Sequence, residues 1–356
     1  MKHFRVSFLV TFICLGISAW WGYTHGGVST MLSALGIAVI LGIMEVSLSF
    51  DNAVVNASVL KNWDKFWQGL FLGVGIIIAV FGMRLLFPLV IVAQAADLGL
   101  LEVWNLALSD PEQYSMHLTN HHAEVAAFGG IFLLLVFLNF LLDHEKETHW
   151  LGRFEEKIGA LGKVSSISVM IALGTLMASL GMIDDGQKLV VLTAGLWGIL
   201  TYVGVDVISG LLEGDNGDGN MGDIVKRGGI GGFLYLEVLD ASFSFDGVIG
   251  AFAITKDVVI IMLGLAIGAM FVRSMTVFLV RKGTLDEFVY LEHGAHYAIG
   301  ILAVIMLVSM KFHVPEIFTG LIGVAFILAS LWSSIRYKRR MALEENKPDV
   351  LESVKA

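Results

Sequence analysis

Charge is scarce in this chain. Asp, Glu, Lys and Arg supply 15% of its 356 residues, against about 25% in an ordinary soluble domain, which argues against a water-soluble globule. Cysteine is scarcer: Cys14 stands alone, so there is no internal disulfide and no clustered thiolate site for a soft metal, only a thiol expected to be buried. Proline occurs four times, too rarely for a loop-rich fold. No basic patch with interleaved aromatics is present, so nucleic acid is not an expected partner. Phosphate loops, a His-Glu-x-x-His pair and a convincing nucleophile elbow are also missing. These absences give the expectation of no enzyme, no catalytic residues and no bound cofactor. Any transport would be driven by an ion gradient or the membrane potential.

What is present is hydrocarbon. Hydrophobic residues make up 56% of the chain, the mean hydropathy is +0.78, and there are 40 glycines, which suits closely packed membrane helices. A helix needs roughly 20 apolar residues to cross a bilayer. Ten such runs are expected, at about 5–23, 31–59, 66–93, 122–142, 166–184, 188–211, 230–255, 257–280, 293–310 and 315–335. The second is long enough to be broken or tilted. The fold class expected is an all-α polytopic bundle. Its parts are residues 1–211, a Gly- and Asn-rich linker at 212–229, a second half at 230–335, and a solvated tail at 336–356. The first run, with Lys2 and Arg5 before it and no good cleavage site after it, is expected to be an uncleaved span.

Basic residues set the orientation. Of the 23 Lys and Arg, Lys188, Lys256 and Lys311 fall on one side and Arg84 and Arg273 within spans; the remaining eighteen fall on the other side. That asymmetry places both termini in the cytoplasm, and the basic-free segment 94–121 outside.

Two spans share a motif. Glu45-Val-Ser47-Leu-Ser49-Phe50-Asp51-Asn52 aligns with Asp240-Ala-Ser242-Phe-Ser244-Phe245-Asp246-Gly247. Downstream, Gly75 precedes Arg84 and Gly264 precedes Arg273 by the same interval. An offset of five spans makes the copies antiparallel, the inverted repeat of many secondary transporters, whose sites lie at the repeat interface. Carboxylates deep in lipid are by default functional candidates. Here they are Asp51, Asp246, Glu45, Asp240 and Glu237, the last without a counterpart in the first copy. On a continuous helix Glu45 and Asp51 would point about 120° apart, so sharing a face requires local unwinding, with serines and Asn52 assisting. Facing carboxylates repel unless protons or a cation intervene, and oxygen-only ligands favour Mg, Ca or Mn. Arg84 and Arg273 are candidate counter-charges. The plainer alternative is that they pair with the acids and only lock the helices.

Other polar groups are weaker candidates. Glu292, His293 and His296 open span nine and His121, His122 and Glu124 open span four, both read as interfacial. Asp206 and Asp184-Asp185 are read as boundary residues, and the acidic stretch from Glu213 to Asn220 lacks calcium-loop spacing.

The two Ser-Phe-Asp motifs, with Arg84 and Arg273, resemble the TerC family of membrane proteins over roughly residues 30–330, most closely a branch described as domain of unknown function 475 (DUF475). Gly247, standing where the first copy has Asn52, and the number of spans depart from that family's pattern. The resemblance implies manganese efflux through a site in which Asp51 and Asp246, beside Glu45 and Asp240, hold the metal. The expectation is an inner (plasma) membrane exporter of a divalent cation, Mn²⁺ first. The alternative is a non-transporting scaffold or a metal- or tellurite-stress accessory protein. The expected partners are the metal ion and the lipid bilayer.

Overall fold

The computed structural model describes residues 4–75, 77–144, 146–163, 166–213, 228–282, 288–312 and 314–345, and among these there are helices and no strands. The first element, α1 (Arg5–Leu48), merges the first expected span with most of the second. It is broken at Gly26 and Gly27, and Gly27 takes φ 71°, a backbone conformation strained for any residue with a side chain. There the chain doubles back. A Cβ added at Gly22 would lie 2.7 Å from the Thr30 carbonyl oxygen, whereas eight residues of straight helix span about 12 Å. The helix stops again at Ser49 (φ −102°, ψ 17°) and resumes as α2 (Phe50–Leu60). The long second run is therefore broken, at the first motif.

The next span starts with α3 (Lys65–Leu70), where the Asp64 carboxylate accepts the N–H groups of Phe66 and Trp67. It widens into π-helical turns at Phe71–Gly75 and Ile78–Leu86, then continues as α4 (Phe87–Ala96). Such widened turns are rare and often sit at functional sites. The segment 94–121, expected as a plain outside loop, instead holds two short helices, α5 (Leu100–Ser109) and α6 (Pro111–Asn120). Asp110 caps α6 through the Gln113 N–H, with Pro111 at the first helical position, where proline sacrifices no hydrogen bond.

The rest comprises α7 (His122–Leu141), α8 (Arg153–Gly159), α9 (Ile167–Ser179), α10 (Lys188–Glu213), α11 (Gly229–Ile254), α12 (Val258–Lys282), α13 (Leu291–Ser309) and α14 (Glu316–Glu345). α14 carries the helix past Arg336 to Glu345, and residues 336–343 of the expected solvated tail are exposed. Arg336 lies over the Trp332 ring at 3.7 Å.

Among the described residues, seven helical stretches are long and apolar enough to cross a membrane, or eight with the bent pair Arg153–Gly162 and Ile167–Met182. The chain is thus a multi-pass membrane protein. The expected count of ten is not reached; α11, which carries Glu237, Asp240 and Asp246, is not among these stretches.

Without a hydrophobic drive between helices in lipid, close approach at small residues holds such bundles together. α7 runs through the centre, with Ile131, Phe132, Leu133 and Leu135 fully buried. It meets α13 at Gly130 and α10 at Gly198, each backed by a neighbour's carbonyl oxygen. α12 meets α1 along Gly264-x-x-x-Gly268, packed onto Ala38, Leu41, Gly42 and Glu45. Polar contacts tie the helix ends. Trp21 Nε1 donates to Asp257, Lys256 to Ser115, and Lys311 to Asp184. A separate group joins Lys146, Glu155 and His293.

Candidate functional site

Asp240 sits on α11, fully helical through the second motif, and faces Asn52 on α2; the Asn52 Nδ2 group donates to Asp240 Oδ1 at 2.5 Å. One turn before Asp240, Glu237 meets the π-helical segment at Gly75, where an added Cβ would stand 2.5 Å from Glu237 Oε1. Any larger residue at 75 would crowd that carboxylate. One turn after Asn52 lies Asn56. Glu237, Asp240, Asn56, Gly75, Arg84 and Arg273 all line one cavity of about 40 Å³. A single water needs roughly 10–15 Å³, so the space suits a small ion with part of its hydration shell.

The hydrogen bonding around this cavity is incomplete in a directed way. Buried and without a partner among the described residues are both oxygens of Glu237, Oδ2 of Asp240, and the amide oxygens of Asn52 and Asn56. Buried polar atoms are nearly always satisfied, so each exception calls for a physical reason. These exceptions are carboxylate and amide oxygens on α2 and α11, and a donor, Arg84 Nε on the same cavity wall, is unsatisfied beside them.

Glu45 is different. It is 1% exposed and accepts Arg84 Nη2 at 2.5 Å and the Ser49 hydroxyl at 2.9 Å. Arg84 Nη1 is held by the Ala79 carbonyl at 2.6 Å, inside the π-helical stretch, and its Nε is buried without an acceptor among the described residues. Arg273, the other candidate counter-charge, donates its Nε to the Leu72 carbonyl at 2.7 Å while lining the same cavity.

Asp51 does not line that cavity. Its Oδ1 accepts the Asn52 N–H, and its Oδ2 faces Gly323 of α14, where an added Cβ would lie 3.0 Å away. One turn from Gly323, Thr319 lines a wider vestibule of about 360 Å³ with Thr119, His122, Phe252, Lys256 and Ser309. Asp246 lies on α11, and its side chain, like that of Asp206, is outside the described residues; so is the stretch after Glu213. The expected facing of Asp51 and Asp246 therefore lies outside the described structure. No three His, Cys, Asp or Glu side chains among the described residues converge as a metal-holding group; the cavity wall offers the carboxylates of Glu237 and Asp240 and the amide of Asn56, beside Arg84 and Arg273.

A family model whose description is Protein of unknown function (DUF475) matches residues 50–341. The chain belongs to the DUF475 family. The family match spans α2 to α14 and takes in Asp51, Asn52, Asn56, Arg84, Glu237, Asp240 and Arg273, but begins after Glu45. No curated protein and no solved structure matches the chain.

The remaining polar candidates are local. His121 Nδ1 pairs with Glu124 at 2.8 Å, partly exposed. His296 bonds the Glu292 carbonyl and stacks on Phe140 at 3.9 Å. His293 Nε2 donates to the Thr148 carbonyl at 2.8 Å. Two residues of the cavity were missed by sequence reading, Gly75 as a spacer and Asn56 as the source of an amide oxygen. The signal for Asn56 was its i, i+4 spacing from Asn52 on an otherwise apolar helix.

Proposed function

We propose that the protein exports a divalent metal cation, Mn²⁺ first, across the inner (plasma) membrane, and that it is a TerC-like carrier. The observation carrying this reading is the set of unpartnered buried oxygens from Glu237, Asp240 and Asn56 around one small cavity, with that of Asn52 beside them on the residue that bonds Asp240. Hard cations take carboxylate and carbonyl oxygens, and Glu237 and Asp240 supply two carboxylates on a wall they share with Arg84 and Arg273. A monovalent ion gains about half the Coulomb attraction. A larger or organic solute does not fit the volume.

The chain crosses ten times in this reading, with both ends cytoplasmic and the motif helices related by inverted topology. The cation enters from the side where the basic loops lie and rests between α2 and α11. It then passes Asp51 to the vestibule at Thr319. The two bundles rock around it, and protons are the candidate counter-substrate. Ser49, the break between α1 and α2, is the natural hinge.

Purified protein in proteoliposomes, offered Mn²⁺, Mg²⁺, Ca²⁺ and Zn²⁺ separately, tests this. Flux of Mn²⁺ that Asp240→Asn abolishes is the expected result. No flux of any of the four overturns export and leaves the scaffold or stress-accessory reading.

A further inference from the structure

Unlike Glu237, Glu45 has a charged partner, at its Oε1. Its partner is a fixed cation of the chain itself, Arg84, which lines the same cavity as Glu237 and Asp240. Asp240 lies within electrostatic reach of both Glu45 and Arg84. A guanidinium on a carboxylate is chemically a tethered substitute for a metal ion, since it satisfies the same lone pairs with N–H donors.

Three features set Glu45 apart from an ordinary helix lock. First, glycines let α11 and α12 pack directly against it. A Cβ at Gly268 would lie 2.4 Å from Glu45 Cβ, and one at Gly247 would lie 2.8 Å from Glu45 Oε2. Gly247 is the neighbour of Asp246 on the second motif helix. Second, Arg84 is held loosely for a buried cation, with one carboxylate, one carbonyl and an Nε unsatisfied among the described residues. Third, the segment carrying Arg84 is π-helical, a backbone with an alternative α-helical register within reach.

Resting on the export reading, we infer that Glu45 is a third carboxylate ligand held in reserve by Arg84. Arg84 and the divalent cation compete for it, so Arg84 sets the affinity of the site. A buried site with three free carboxylates would bind a divalent ion tightly and release it slowly. The exchange of Arg84 for the cation on Glu45 keeps binding reversible.

Mn²⁺ binding to detergent-purified protein, followed by the loss of the free-ion electron paramagnetic resonance signal, tests the exchange. Arg84→Gln frees Glu45 and is expected to tighten Mn²⁺ binding on the order of tenfold, a coupling within the range of buried networks. In liposomes the same variant lowers KM and kcat together. The double variant Glu45→Gln with Arg84→Gln returns the affinity to the wild-type value. If Arg84 only braces the helices, Arg84→Gln changes melting temperature and leaves Mn²⁺ affinity where it was, and that result overturns the inference alone. Tighter binding that persists in the double variant also overturns it. No binding in wild type or Arg84→Gln defeats both this inference and the export reading. Should Arg84→Gln be recovered unfolded, Arg84→Lys keeps the charge without the planar fork and is expected to tighten binding to a smaller degree; unchanged affinity there overturns the inference.

Discussion

The two motif-bearing halves use equivalent positions in opposite ways. In the register that aligns Glu45 with Asp240, Gly42 corresponds to Glu237. Gly42 packs against Gly264 and Ile267 of α12, closing a helix contact. Glu237 meets Gly75, the counterpart of Gly264, and the space between the helices stays open as the cavity. Glu45 is paired with Arg84 and Ser49, while Asp240 keeps Oδ2 free and Ser244, the counterpart of Ser49, has a hydroxyl unpartnered among the described residues. Ser47 and Ser242 still make the same bond to the carbonyl four residues back, each at 2.9 Å. One repeated sequence therefore yields a locked half and an available half. The copies differ here at Gly42 against Glu237, Glu45 against Asp240 and Asn52 against Gly247, and a π-helical widening lies opposite Glu237.

Stability measurements separate the two halves. Glu45→Gln leaves Arg84 buried without its carboxylate, and removing one partner of a buried pair costs about 3–5 kcal/mol. A large fall in melting temperature in detergent is expected, and an unchanged value would mean the pair is not formed. Gly268→Ala drives a methyl into Glu45 at the α1–α12 contact, with an expected loss of about 1–3 kcal/mol from overpacking, read by the same melt. Glu237→Gln lies in the available half and removes a carboxylate that has no partner among the described residues, so stability is not expected to fall. Mn²⁺ flux in liposomes is expected to fall steeply. If that variant melts like Glu45→Gln, the two halves are not different in kind. At the small end, Lys188→Ala breaks only the exposed pair with Asp185 at 2.7 Å, and no measurable change in melting or flux is expected.

The membrane class, most span positions and both acidic motifs were legible in the sequence. Twenty-residue apolar runs are what a bilayer demands of a helix, and a carboxylate inside one is too costly to persist without a role. The reversal at Gly26-Gly27 falls in the gap between the expected first run at 5–23 and the second at 31–59. The π-helical stretch was hidden because backbone widening leaves no residue signature. Symmetry between the motifs put Asp51 and Asp246 at the centre. The structure gathers Glu237, Asp240 and Asn56 around the cavity, bonds Asn52 to Asp240 and turns Asp51 toward Gly323, because Asp51 and Asn52 are neighbours on one helix and project in different directions. Glu237, which symmetry gave no partner, is one of the residues at which the two halves differ.

The most direct measurement is Mn²⁺ binding to purified wild type and to the Glu237→Gln, Asp240→Asn double variant, both shown folded by melting and gel filtration. Saturable binding by wild type that the double variant loses is the predicted result. Equal binding by the two proteins, or none by wild type, would contradict the assignment of these oxygens to a divalent cation.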